Sequence, residues 1–215
     1  MSMHHQEEAL LSLLGIDLPI IQKAPKAGTP ALAAAVTNAG GLGAIGVGAL
    51  DAAAARQMIE ELRSLTPGSF HVNLPGKRLA KADGMLKMLL ETRPRVVSFH
   101  AGLPAHGVIT ALQQAGIVLM AAATTLDDAQ AIAAAGIDVI VAQGKEKKQP
   151  DSLALARSVV CHVQIPVIAA GGIRDGAGIA AALRLGAAGV QVNTSARKLS
   201  PAALMAQLAD ELWIA

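Results

Sequence analysis

The stretch Ile165-Pro166-Val167-Ile168-Ala169-Ala170-Gly171-Gly172-Ile173-Arg174-Asp175-Gly176 decides the reading of this 215-residue chain. A β-branched apolar run stops at two glycines. A helix then opens at Asp175 and runs apolar through Leu183 to Leu185. The pattern is a buried strand, a tight turn, and a helix whose first-turn N–H groups point at the strand's end. Glycine lets a ligand approach the backbone there, and the helix dipole favours an anion, so the stretch suits a phosphate. A second strand end of this kind follows at Gly189-Val190-Gln191-Val192-Asn193-Thr194-Ser195.

Working outward, the same punctuation recurs. Strands are expected at Leu18–Gln22, Leu42–Ile45, Ser69–Leu74, Arg95–His100, Ile117–Ala121 and Ile137–Ala142, besides the two above. Helices lie between them. Thr29-Pro30, Asp51, Thr125 and Ser200-Pro201 read as N-caps, and Gly40, Gly116, Gly136 and Gly186 as stops. Thr125-Leu126-Asp127-Asp128 resembles a capping box. A short amphipathic helix, Gln6 to Leu14, precedes the first strand. Continuous apolar strands are buried on both faces, as in a parallel sheet. Regular alternation at this length points to one compact α/β domain over residues 1–215, a (β/α)8 barrel whose phosphate cradle follows strands seven and eight. A doubly wound open sheet is the alternative; it needs a switch point and fewer strands.

Composition narrows the function. Hydrophobic residues are 53% and charged residues 16%, the formal net charge is +2, and aromatics are 1%. Neither a basic footprint nor stacking platforms exist for nucleic acid. No apolar run reaches a membrane span. Cys161 is the sole cysteine, so no internal disulfide forms, and a cytoplasmic protein is expected. His4-His5 reads as a solvated terminus.

Seven segments carry a family likeness: Ile20-Ile21-Gln22-Lys23-Ala24-Pro25, Ala35-Val36-Thr37-Asn38-Ala39-Gly40-Gly41-Leu42-Gly43, Val72-Asn73-Leu74, Val96 to Pro104, Ala123-Thr124-Thr125, Ala142-Gln143-Gly144, and Val167 to Ile173. In this order they resemble the nitronate monooxygenase (2-nitropropane dioxygenase) family. That family groups with other FMN-dependent barrels, such as one class of enoyl-acyl-carrier-protein reductase. The resemblance implies an oxidoreductase acting on a small molecule at the C-terminal mouth. It places FMN phosphate on Gly171, Gly172, Asn193 and Thr194, and the isoalloxazine near Pro25, Lys26, Asn73, Gln143 and Gly144. It also implies a histidine after strand six that assists oxidation of alkyl nitronates.

The departures from the family cluster at the mouth. After Gly144 the chain reads Lys145-Glu146-Lys147-Lys148-Gln149-Pro150, without the family's histidine and glycines. Lys26 stands for a methionine, Ala101 for an aromatic, and Asn193-Thr194-Ser195-Ala196-Arg197 for a Gly-Thr-aromatic run. The connection after strand three is short, and the family's C-terminal helical cover has no counterpart before Ala215. Weakened or lost activity is therefore the expectation. Two origins fit: a natural minimal homologue, or a trimmed barrel with a recharged rim. A non-catalytic scaffold without cofactor and an NAD(P)H-dependent flavin reductase are the alternatives.

Individual residues divide accordingly. His100, ending strand four, is the candidate surrogate acid–base, against a rim histidine bonded to backbone. His71 is expected to be packed or outward-facing. His106 and His162 are poor candidates, and the histidines show no metal-ligand spacing. Lys145 to Asp151 is expected to be a charged loop before a helix through Val160, with Lys145 to Lys148 solvated, and Lys26 reads either as a partner of reduced flavin or as a solubilising residue. Cys161 is expected to be buried. A monomer or weak homo-oligomer is expected.

Overall fold

The structure, a computed structural model, describes residues 3–25, 29–81, 84–144, 149–194 and 200–214. Among them the order is α1 (Met3–Leu14), β1 (Ile20–Gln22), α2 (Pro30–Asn38), β2 (Gly43–Gly46), α3 (Ala52–Leu65), β3 (Phe70–Pro75), a 3₁₀ turn (Gly76–Ala80), α4 (Met85–Thr92), β4 (Val96–His100), α5 (His106–Gln114), β5 (Val118–Ala123), α6 (Leu126–Ala134), β6 (Val139–Gln143), α7 (Gln149–His162), β7 (Val167–Ala170), α8 (Gly176–Arg184), β8 (Gly189–Val192) and α9 (Pro201–Ile214).

All strands pair in parallel, in the spatial order β1-β8-β7-β6-β5-β4-β3-β2. The ring closes where Leu42 N–H donates to the Ile20 carbonyl (3.0 Å) and Gln22 N–H donates to the Leu42 carbonyl (2.9 Å). This is the (β/α)8 barrel that strand–helix alternation implies; the open-sheet alternative is excluded by the β1–β2 bridge.

Local chemistry explains the elements. Thr29, Asp51 and Asp175 accept from the N–H groups of Leu32, Ala54 and Gly178. Thr125 and Asp128 complete the capping box that opens α6. Helix α7 begins at Gln149, inside the stretch expected to be loop.

Strand residues alternate between two cores. Val97, Phe99, Leu119, Ala121, Ile140, Ala142, Val167 and Ala169 face the helices. Val96, Met120, Val139, Val141, Ile168 and Ala170 fill the barrel interior. Leu10 and Leu14 of α1 join this interior cluster and are fully buried. Arg95 holds α1 in place by donating to the carbonyls of Ser12 (3.0 Å) and Leu13 (3.1 Å). Helix α1 therefore plugs the end at which the strands begin, and among the described residues no element plugs the other end.

Candidate functional site

At the open end the inward positions turn polar. Asn73, Ser98, His100, Gln143 and Gln191 continue the interior alternation of β3, β4, β6 and β8, where Val96 and Val139 fill it lower down. Together with Lys23, Pro25 and Ala122 they line a pocket of about 500 Å³. That volume suits a small molecule or the ring of a cofactor. Lys23 and His100 bring positive or proton-accepting character, and no carboxylate is present among the described lining residues. Partial burial lowers the pKa of both groups. At pH 7 the His100 imidazole is therefore chiefly neutral and able to accept a proton.

A chain of hydrogen bonds runs beneath this pocket. Asn73 Nδ2 donates to Ser98 Oγ (2.8 Å) and to the Ser98 carbonyl (3.3 Å). His71 is fully buried, with Nδ1 at Ser98 Oγ and Nε2 at the Gln22 carbonyl, each 2.8 Å away. Gln22, also fully buried, takes the Ala44 N–H on Oε1 (2.7 Å) and donates from Nε2 to Thr194 Oγ1 (2.8 Å). Desolvation lowers the His71 pKa to about 4, against a smaller opposing effect of its bond to Gln22. His71 is thus neutral, packed and turned inward.

The structure brings Pro25, Asn73, Gln143 and His100 into one pocket. Gly171 (φ +104) and Gly172 (φ +71) form a left-handed turn after β7, a conformation that favours glycine. Thr194 is buried at the adjacent end of β8, and Asn193 beside it is exposed. Gly144 is buried away from the pocket lining; a Cβ there would meet Ser152 of α7, whose hydroxyl lies 2.4 Å from that position. Ser152 Oγ is itself buried without a partner. Lys26, Lys145 to Lys148, Ser195 and Arg197 lie outside the described residues.

Two expectations are corrected. In the first turn of α8, two of the N–H groups expected to be free are already taken. Gly178 N–H donates to Asp175 Oδ1 (2.8 Å), and Gly176 N–H to Glu211 Oε2 of α9 (2.6 Å). Two carboxylates hold those two donors. Cys161 is exposed, because the end of α7 turns it away from the barrel.

Sequence reasoning missed Lys23, Gln191 and Ser98 as pocket residues. The available signal was the alternation: Gln191 stands between Val190 and Val192, and Ser98 between Val97 and Phe99. A lone polar residue at an inward position of a barrel strand faces the interior. His106 opens α5 and His162 ends α7, neither on the pocket. Among the described residues no cluster of three metal-ligating side chains occurs. None of their helices is long and apolar enough to cross a membrane.

Comparison with known proteins agrees with this fold. A nitronate monooxygenase from Paraburkholderia phytofirmans is 45% identical over 241 aligned positions, covering 88% of this chain and 66% of its own length. The chain thus spans about two thirds of that relative. The alignment is longer than the 215-residue chain, so the relative carries segments inside the matched region that have no counterpart here. FabK from Thermotoga maritima superposes with a TM-score of 0.79 at 40% identity, over 86% of this chain and 61% of that one. A nitroalkane oxidase from Streptomyces ansochromogenes gives 0.77 at 36% identity, over 86% and 67%. The family model described as nitronate monooxygenase matches residues 7–84 and 77–197, two segments that meet in the connection after β3. With the barrel fold and nearly the whole chain matched, the protein belongs to the nitronate monooxygenase family.

Proposed function

We propose that this chain binds FMN at the barrel mouth and acts as a nitronate-oxidising oxidoreductase whose turnover is weaker than that of its relatives. The observation that carries this is the junction of two features. One is a pocket bounded by Asn73, Gln143 and His100; the other is the left-handed Gly171-Gly172 turn beside the buried Thr194 hydroxyl. Backbone amides at two such glycines and a directed hydroxyl fit a phosphate. The adjoining pocket, with carboxamides and no carboxylate among its described lining, fits an electron-rich planar ring. The names of the relatives at 45% and 36% identity, a nitronate monooxygenase and a nitroalkane oxidase, support the same chemistry.

Gly171, Gly172 and Thr194 would hold the phosphate, and Asn73 and Gln143 would orient the ring. Bound there, FMN would supply the two-electron and oxygen chemistry that no side chain of the pocket provides. Given a neutral nitroalkane, His100 would take up its α-proton at the neutral imidazole and leave the nitronate for oxidation; a nitronate supplied as such has already lost that proton. The chain has no histidine between Gln143 and His162, so the base expected in the loop after β6 is missing, which argues for slow turnover.

The test is direct. Purified protein should be yellow, release FMN on denaturation, and consume O2 when given an alkyl nitronate. His100→Asn should lower kcat with the neutral nitroalkane, leave turnover of the preformed nitronate little changed, and keep the FMN content the same. A colourless protein that fails to bind added FMN would support the scaffold reading instead. Flavin reduction by NAD(P)H without response to nitronate would favour the reductase.

A further inference from the structure

The seam between β1 and β2 departs from a regular parallel ladder. Leu42 N–H bonds to the Ile20 carbonyl and Gln22 N–H to the Leu42 carbonyl. The next bond in sequence should join Ala44 N–H to the Gln22 carbonyl. Instead Ala44 N–H goes to the Gln22 side chain, at Oε1 (2.7 Å). The freed Gln22 carbonyl accepts from His71 Nε2 (2.8 Å). One glutamine therefore fills a backbone position with its own side chain and turns its backbone toward a buried histidine.

This exchange fixes where every proton of the chain lies. Ala44 N–H can only donate, so Gln22 presents its oxygen to it and its NH2 group to Thr194. Thr194 Oγ1 is thereby an acceptor toward Gln22 and keeps its own proton for a group outside. The Gln22 carbonyl can only accept, so His71 carries its proton on Nε2 and its bare Nδ1 takes the Ser98 hydroxyl proton. Asn73 Nδ2 faces the Ser98 carbonyl and hydroxyl, which leaves Asn73 Oδ1 as an acceptor toward the pocket. Among the described residues no acceptor receives the Thr194 proton and no donor meets Asn73 Oδ1.

We propose that Gln22 and His71 are positioning residues that set the site's polarity, a donor at Thr194 and an acceptor at Asn73, so that it selects a ligand with a phosphate at one end and a ring N–H at the other. This rests on the FMN reading above. Gln22 acts through Thr194 and touches no ligand itself. Removing its amide leaves the Thr194 hydroxyl free to rotate and to spend its proton elsewhere, and only the phosphate end notices.

The experiment compares FMN with riboflavin, which differ by that phosphate. Dissociation constants are measured by fluorescence quenching for the wild type, Gln22→Met, Thr194→Val, Thr194→Ser and the Gln22→Met/Thr194→Val double variant. FMN binding should weaken about tenfold in each of the first two variants, the worth of one well-placed bond to a charged group. Riboflavin binding should not move. Thr194→Ser should keep the wild-type preference, and the double variant should be no worse than either single one, since the two residues act in series. A general loss of structure would weaken both ligands together and is read independently by thermal melting; the Thr194 variants retain the test should Gln22→Met not fold. Additive losses, or an FMN preference unmoved in Thr194→Val, would overturn the inference and leave the FMN reading intact. A wild type that binds neither ligand would overturn both.

Discussion

At the scale of single residues, His71 links burial to pH. Its pKa is about 4 in the folded chain against the ordinary 6.5. Between these values the unfolded chain binds the proton and the folded chain does not, so protonation favours unfolding. The stabilising effect is complete above pH 6.5 and is lost as pH falls towards 4, by about 3 kcal/mol for this one group. Chemical denaturation from pH 7 to pH 4 should show that slope, and His71→Gln should flatten it. A slope unchanged by that substitution would assign the acid sensitivity to other groups. The residue type is plain in the sequence. That it points inward on Gln22 and Ser98, rather than outward, follows from the register of β3 between β2 and β4.

At the scale of elements, α7 sits close against the ends of β6 and β7 because two glycines make room for it. A Cβ on Gly144 would lie 2.5 Å from Ser152 Cα, and one on Gly171 would lie 2.6 Å from Ser152 Oγ. Gly144→Ala should therefore displace α7 and cost about 1–3 kcal/mol, the usual cost of overfilling a packed site. Ser152→Ala removes a buried hydroxyl with no partner and should leave the melting temperature unchanged or raised. The contrast separates crowding from polarity at one contact. The glycine motif was legible as a site for close backbone approach. What approaches Gly144 proved to be a helix of the same chain, because α7 starts two residues before the end of the stretch expected to be loop.

At the scale of the whole molecule, the two ends of the barrel have separate duties. Leu10 and Leu14 close one end with apolar contacts, while the polar positions of the other face the pocket. Leu10→Ala should destabilise the fold by about 2–5 kcal/mol, as truncation of a fully buried leucine does. Its FMN affinity, measured under native conditions, should match the wild type, since the plug lies at the opposite end. Loss of affinity in step with stability would mean that the ends are coupled.

The order of strands, the caps and the glycine stops were local matters of period and turn chemistry, and the sequence by itself determined them, together with the family. The tertiary structure alone decided which donors are free. Glu211 holds the Gly176 N–H at the start of α8, although it stands 35 residues away from the glycine it binds. Gln22 reaches Thr194 across 172 residues. Hydrogen bonds of this kind depend on closure of the barrel, which brings the first and last strands together, and no local pattern in the chain encodes that meeting.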